Sequence, residues 1–498
     1  MAPGPAPNCL TCSKRQVRCD GDRPTCRRCP KDNLECRGYK DQLRIVQVHP
    51  TQRRSTAVQR KPKAGQQTQG QALFLAKNIF LGDRDLWTLL DCAQYFNQHV
   101  IPTIFPAERP FFRPSIGPEV AWQHLPKVCL HFIIVAFQST RAAKLLIDPL
   151  SQPDLCYYRG LGLRELPQHL EEAVTDPQGI ALVSIIMLMM SDLLAVDGSW
   201  RVHLNAVQRI VALRGGVRTC ITSMPDSVFM LVQFFVVDTL TSTACNSAGL
   251  SQTPFCDMIV DIPHIDFQLI TCASTCPSEI FQVIAHTNAL RRRRWDGRRQ
   301  LGQESSSTFA ADYDELLDDL RQFDCKAWAN RMSHLGLSFP VLEAHVAPCS
   351  SIDGLTTVAE CFRSAAQVYL FLSYCSQDDE TAIDHARQAS KALHGGINTL
   401  FENASSERDD PLDTQLWKFA SWPLVIAAYA WVGWDITEES TTLDTMFAQL
   451  RAIYVAKGTQ VRSSTEQHMK SVQARRARNP DLQWTWDMGF PERMAFAL

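Results

Sequence analysis

Cysteines are the residues of this chain best placed to do chemistry, and six of them crowd into one short stretch: Cys9, Cys12, Cys19, Cys26, Cys29 and Cys36. Their spacing is C-x2-C-x6-C-x6-C-x2-C-x6-C, two near-identical halves. Thiolates separated by two residues can grip one tetrahedral metal from a tight turn, a bite that suits Zn–S bonds of about 2.3 Å. Six sulfurs fall short of two separate four-thiolate sites, yet suffice if two of them bridge both metals. A segment of this size has almost no apolar core, so metal is what would hold it folded. Two structural Zn2+ ions are the economical reading. Paired C-x2-C spacing in an intracellular chain argues for metal over a disulfide knot.

Cations lie among these sulfurs. Between Cys12 and Cys19 run Ser13, Lys14, Arg15, Gln16, Val17 and Arg18, read as a short helix. A second short helix is expected to begin around Cys29, with Arg27, Arg28 and Lys31 nearby. Exposed cations on a metal-fixed helix can reach phosphates and base edges in a major groove.

The cysteine pattern resembles the fungal zinc binuclear cluster family of transcription factors, over residues 9–36. Val17, Arg18, Cys19 and Asp20 match the family's first helix and turn, and Pro24 falls in the loop joining the halves. The resemblance implies that Cys9 and Cys26 are bridging ligands, that Cys12 and Cys19 complete one site, and that Cys29 and Cys36 complete the other. It also implies double-stranded DNA as partner, with the first helix reading bases. Arg15, Gln16 and Arg18 would then meet bases, and Lys14, Arg27 and Arg28 phosphates. Gln16 stands where the family usually has Lys or Arg bonding guanines of a CGG triplet, and Ser13 where it is often basic. Glutamine pairs more naturally with adenine N6 and N7. The expected half-site therefore departs from plain CGG, or affinity is low, unless Arg15 and backbone groups keep the usual preference.

Charge divides the chain in the same place. Residues 1–72 carry fifteen Lys and Arg against five Asp and Glu, whereas the remainder carries 35 basic and 47 acidic residues. A basic head on an acidic body fits a polyanion-binding module joined to a part that nucleic acid would repel. The Pro- and Ala-rich start lacks the apolar core of a signal peptide, and the longest apolar runs, 180–190 and 228–237, are too short to span a membrane. The other twelve cysteines, from Cys92 to Cys375, lie singly among apolar residues and read as reduced core thiols. The expectation is a soluble intracellular protein working in the nucleus, without membrane contact.

Residues 1–8 read as a disordered N-terminus, 9–38 as the zinc cluster, 39–71 as a flexible basic linker, 72–475 as a helical body and 476–498 as a C-terminal tail. The linker carries Arg53, Arg54, Arg60, Lys61 and Lys63 ahead of a Gln- and Gly-rich run, and could add phosphate contacts or direct nuclear import. It lacks sustained heptads, so a finger-proximal coiled-coil dimer is not supported and a homodimer stays open.

Helical periodicity runs through the body: residues 83–100, 121–137, 179–196, 200–213, 227–243, 278–290, 313–323, 358–374, 381–400 and 414–432. Alternating strands are lacking, so the fold class is mostly all-α, about a dozen helices in the body. Gly215–Gly216 forms a stop after the 200–213 helix. That helix carries Trp200, Arg201 and His203, then Leu213, Arg214 and Gly215. This pattern resembles the fungal-specific transcription factor regulatory region, with a second echo in Trp422-Pro423-Leu424. His203 and Trp200 read as buried helix-packing residues rather than catalytic ones.

Arg291–Arg294 with Arg298 and Arg299 is the densest basic patch of the body and is expected in a loop, as an import signal, a phosphate contact or a solvated segment. Asp312, Asp314, Glu315, Asp318 and Asp319 follow on one helix as a counter-charge surface. The tail sets Trp484, Trp486, Met488, Phe490, Met494 and Phe496 among acids, a composition that docks on coactivator grooves or packs back on the body.

Phosphate-binding, dinucleotide, zinc-protease and nucleophile-elbow motifs are missing, so nothing argues for catalysis and no catalytic residue is assigned. The function expected is a sequence-specific DNA-binding transcription factor acting on RNA polymerase II genes in a fungus. The resemblance suggests a metabolic or secondary-metabolite gene set, with transcriptional coregulators and a small-molecule effector as further partners. The competing reading is a helical coregulator whose cluster has lost specific DNA reading.

Overall fold

Apolar residues recurring every three or four positions can be buried only if helices stack on helices, and the chain does this over most of its length. The computed structural model describes residues 10–15, 17, 19–20, 26–32, 34, 36, 83–100, 126–145, 147, 151–194, 200–247, 250, 265–266, 269, 276–301, 306–333, 338–339, 344–345, 352–374, 380–405, 413–434, 443–457 and 462–478. The linker at 39–71 and the tail from 479 onward lie outside these residues. Two compact units emerge, residues 1–63 and 64–498.

In the first unit two short helices, α1 (Leu10–Lys14) and α2 (Arg28–Lys31), flank a core made of sulfur. The expected 13–18 helix lies earlier: it ends at Lys14, Arg15 forms the turn and Val17 is not helical. The Val17 N–H bonds to Cys12 O at 3.1 Å, closing the helix end so that the chain can bring Cys19 back to the cluster.

The second unit is all-α apart from one two-residue antiparallel pair, Ser338–Phe339 with Ala344–His345, the only strands among the described residues. Its first helices are α3 (Asp83–Tyr95, continuing as a π turn to Val100), α4 (Lys127–Lys144), α5 (Pro153–Leu170), α6 (Ile180–Leu193), α7 (Trp200–Leu213), α8 (Val217–Ser223) and α9 (Val228–Thr243). There follow α10 (Ser278–Leu301), α11 (Ser306–Gln322), α12 (Cys325–Ser333), α13 (Ile352–Tyr374), α14 (Glu380–Ser405), α15 (Ser421–Trp434), α16 (Leu443–Lys457) and α17 (Arg462–Arg478).

One core runs through nearly all of them. Helix α13 is central, packing on α10, α11, α12, α14 and α15, while α4 packs on α5 and α6, and α6 on α7. A smaller apolar cluster joins α3, α4 and α5 around Leu89, Ile134 and Tyr158. Helices α9 and α15 are buried nearly all round, as their predominantly apolar sequences require.

Several segments differ from the sequence expectation. Of the expected 121–137 helix, residues 121–125 lie outside the described residues, and α4 starts at Lys127, after Pro126, and runs on to Lys144. The 414–432 segment breaks at Ala420 into a 3-10 helix, Asp413–Phe419, and α15. Helix α5 was hidden by Gly160, Gly162 and Pro167, which read as breakers. Gly162 is there for contact: a Cβ would meet the Phe132 ring at 2.8 Å, so glycine lets α4 and α5 approach closely. Helices α8, α12, α16 and α17 were likewise unmarked, and α17 continues past residue 475 to Arg478.

The arginine patch is the largest correction. It forms no loop, because α10 continues through it to Leu301. Arg291 is buried and donates to Ser242 O (3.3 Å), Cys245 O (2.6 Å) and Tyr369 Oη (2.8 Å). Arg292 bonds Leu250 O and Asp296, Arg294 bonds Tyr374 O, and Arg293 pairs with Asp312 of α11. These arginines staple α10 to its neighbours, and Asp312 is the one expected counter-charge that meets them.

Candidate metal centre and nucleic-acid interface

Cys26 is the hub of the first unit. Its sulfur lies 3.8 Å from Cys12 Sγ and 3.9 Å from Cys36 Sγ. Cys12, Cys26 and Cys29 have sulfurs all within 4.8 Å of one another, as do the ligand atoms of Cys19, Asp20 and Cys26. One sulfur thus approaches those of all four other described cysteines. Tetrahedral coordination at Zn–S bonds of about 2.3 Å sets neighbouring sulfurs about 3.8 Å apart, so these separations fit zinc. Cys12, Cys26 and Cys29 are completely buried and the Cys29 N–H donates to Cys26 Sγ at 3.4 Å, a contact that favours a thiolate there.

Cys26, one of the two bridging candidates, occupies the shared position among the described sulfurs. The other bridging candidate, Cys9, lies outside the described residues. Cys12 and Cys29, which the resemblance put on different ions, lie 3.7 Å apart. The two half-sites therefore share one sulfur cluster rather than forming separated centres.

Cations surround the cluster on the outside. Lys14 ends α1, Arg15 follows in the turn, and Arg27 and Arg28 open α2; all four are exposed, as is Lys31. Gln16 and Arg18 lie outside the described residues, so of the three residues the resemblance assigned to bases only Arg15 is placed.

Two carboxylates act here: Asp20, noted in the sequence only as a family match, and Asp32, which sequence reasoning missed. Asp20 accepts the Arg28 N–H at 3.1 Å, tying the turn after Cys19 to the start of α2. Asp32 Oδ2 accepts from Arg15 Nη1 at 3.0 Å and stands 3.6 Å from Arg28 Nε. The spacing of Arg28 and Asp32, one helical turn apart, was the available signal.

In the body the motif residues work as joints. Asp192, almost fully buried on α6, meets Arg159 of α5 and His203 of α7, with Arg159 Nη2 at 3.0 Å and His203 Nε2 at 3.0 Å. Burial would raise the Asp192 carboxyl, but hydrogen bonds and charge from His203 and Arg159 outweigh it and hold the group down at about 2. Trp200 is core, as expected. Arg214 is buried and donates to Ala173 O (2.7 Å) and Asp176 O (2.8 Å), while Asp176 Oδ2 takes the Ile180 N–H that opens α6. Gly215 and Gly216 follow with φ of 88° and 95°, the left-handed backbone that ends α7. Val202 and Leu213, although apolar, are exposed on α7. Trp422 is buried, donates to Thr243 Oγ1 at 3.1 Å and stacks on Phe362.

Seven of the eight described body cysteines are buried and one, Cys156, is exposed, a departure from the expected core position. Burial pushes the Cys361 thiol up to about 12 and that of Cys129 to about 11, as inert packing groups. Among the described residues no helix is long and apolar enough to cross a membrane.

Residues 91–450 match the fungal specific transcription factor domain family, which covers most of the chain. The chain belongs to this family. Residues 8–45 match the fungal Zn(2)-Cys(6) binuclear cluster domain, which binds two zinc ions. No curated protein and no solved structure matches the chain. This fungal transcription factor is a regulator of transcription built from a zinc cluster and a helical domain, and both of its matched families are transcription factor domains rather than enzyme families.

Proposed function

We propose that this chain is a sequence-specific DNA-binding regulator of RNA polymerase II transcription, acting in the nucleus on a metabolic or secondary-metabolite gene set. The observation that carries the proposal is the sulfur cluster centred on Cys26 with exposed cations on both short helices beside it. Cys9, Cys12, Cys19, Cys26, Cys29 and Cys36 would hold two Zn2+, fixing the backbone so that Lys14, Arg15, Gln16, Arg18, Arg27 and Arg28 meet double-stranded DNA. The ions supply rigidity that a segment lacking an apolar core cannot generate. Arg15 is the residue for base edges, where a guanidinium can bond guanine O6 and N7 together. The helical domain would set activity by contacting coregulators or sensing a small molecule.

A second reading has its own support. Arg15 and Arg28 already face a carboxylate, Asp32, which weakens their attraction for phosphate. A coregulator with a DNA-silent cluster would have this feature too. Selection of binding sites from random duplex DNA by the zinc-loaded full chain separates the two. An enriched motif, with affinity falling steeply as salt rises, is expected. No enriched motif and a salt slope near zero would leave the coregulator.

A further inference from the structure

We propose that Asp32 is a specificity-determining residue of the DNA interface, acting as an internal counter-ion that keeps Arg15 and Arg28 from sequence-independent binding. The inference rests on the DNA-binding reading above and deepens it. Asp32 follows α2 and reaches both halves of the cluster unit: one oxygen, Oδ2, receives Arg15 Nη1 at 3.0 Å and lies 3.6 Å from Arg28 Nε. The pairing is open to competition, because the side chains of Arg15, Arg28 and Asp32 are 37%, 49% and 29% exposed. Lys14 and Lys31 are exposed beside it and make no ion pair among the described residues.

Binding to arbitrary DNA draws on every cation that can replace a condensed counterion at a phosphate. An arginine already facing a carboxylate contributes less of that attraction, and the carboxylate itself repels the backbone. Bases offering a two-point acceptor to Arg15 can displace Asp32, because the guanidinium then exchanges one directed partner for another. A sequence without that acceptor in register leaves Arg15 only phosphate, a contact that carries no sequence information. Asp32 therefore penalises wrong sites more than right ones, and specificity is the difference between the two. Lys14 and Lys31 supply the general attraction, while Asp32 holds Arg15 and Arg28 for matched sequence.

The test uses the zinc-loaded full chain and its Asp32→Asn variant. Each is titrated by fluorescence anisotropy against a random-sequence duplex and against the duplex enriched in site selection, over a range of KCl. D32N is expected to bind the random duplex roughly three- to tenfold more tightly at about 0.1 M salt, with a salt slope steeper by about one to two. Its affinity for the enriched duplex should change less than about twofold, so the ratio between the two falls. In an R15Q/R28Q background the D32N gain should shrink below about twofold, because the partners are gone.

A gain that persists in that background would make Asp32 a mere contributor to net charge and overturn the proposal. An unchanged random-duplex affinity in D32N, with the parent still selecting a motif, would overturn it while leaving DNA reading intact. A D32N gain in a chain that selects no motif would keep the counter-ion and remove sequence-specific reading. Absence of duplex binding by every variant would remove both. Zinc content is measured throughout, and Asp32→Ser replaces D32N if the latter loses metal.

Discussion

Replacing Arg291 by Met separates a structural arginine patch from an import signal. The substitution keeps a long unbranched side chain while removing the guanidinium from the junction of α9, α10 and α13. Ser242 O and Cys245 O then lose a donor, as does Tyr369 Oη, which still bonds Asn288 at 2.5 Å. Losing a guanidinium donor at a buried carbonyl costs about 1–3 kcal/mol, and less at Ser242 O, which still accepts from the Cys245 thiol at 3.3 Å. Burying a methyl thioether in place of a desolvated cation returns part of this. A net loss of about 3 kcal/mol follows, and with a urea slope of about 3 kcal/mol/M the unfolding midpoint falls by about 1 M. Arg293→Ala is the internal comparison: its guanidinium is 60% exposed with a single ion pair to Asp312, so the midpoint should hardly move. Urea titrations followed by circular dichroism on the full chain give both numbers. Equal midpoints for R291M and the parent would refute the reasoning, and loss of nuclear accumulation at unchanged stability would restore the import signal.

Cys26→Ala should cost both zinc ions whereas Cys36→Ala leaves one, because only the former sulfur meets all the other described cysteines; metal analysis of purified protein decides, and one residual ion in C26A would end the bridging assignment. Asp192→Asn should destabilise the body by about 2 kcal/mol near neutral pH, the equivalent of holding its carboxyl from the ordinary 3.8 down to about 2. The lowered group contributes stability above the unfolded value and loses it as pH falls through the folded one. The gap between D192N and the parent should thus close between about pH 4 and pH 2, and a gap independent of pH would contradict the assignment.

The metal centre could be read from sequence because its chemistry is local. Cysteine spacing fixes which sulfurs a tight turn can bring together, whatever the rest of the chain does. The body's helices were legible where apolar periodicity was strong: 200–213 appears as α7 residue for residue, and Ser227–Thr243 as α9 within one position. Helix α5 escaped because its glycines and proline speak against a helix until Phe132 is known to lie against Gly162. Arg291–Arg294 escaped for the opposite reason. Consecutive arginines look solvated, and only the carbonyls at the end of α9 and the Tyr369 hydroxyl, brought in from distant sequence, make burial of the first one affordable in hydrogen bonds.

The Trp-Arg-x-His and Leu-Arg-Gly residues take their meaning from one joint. His203 reaches back from α7 to Asp192 on α6, and Asp192 reaches Arg159 on α5. Arg214, at the other end of α7, holds the carbonyls of the turn that starts α6, and Asp176 in that turn caps α6 through Ile180. Both ends of α7 are thereby clamped onto the same neighbour. Changing His203 removes one of the two partners of the buried Asp192 carboxylate, and changing Arg214 removes the side-chain donor to Ala173 O, a cost of about 1–3 kcal/mol at either end. Variants at His203 or Arg214 should therefore lower the amount of folded body, not change which DNA the cluster reads. Under the proposed function, residues that adjust DNA choice belong instead around Cys26, where Arg15, Arg28 and Asp32 meet at the surface and can be exchanged without disturbing a core.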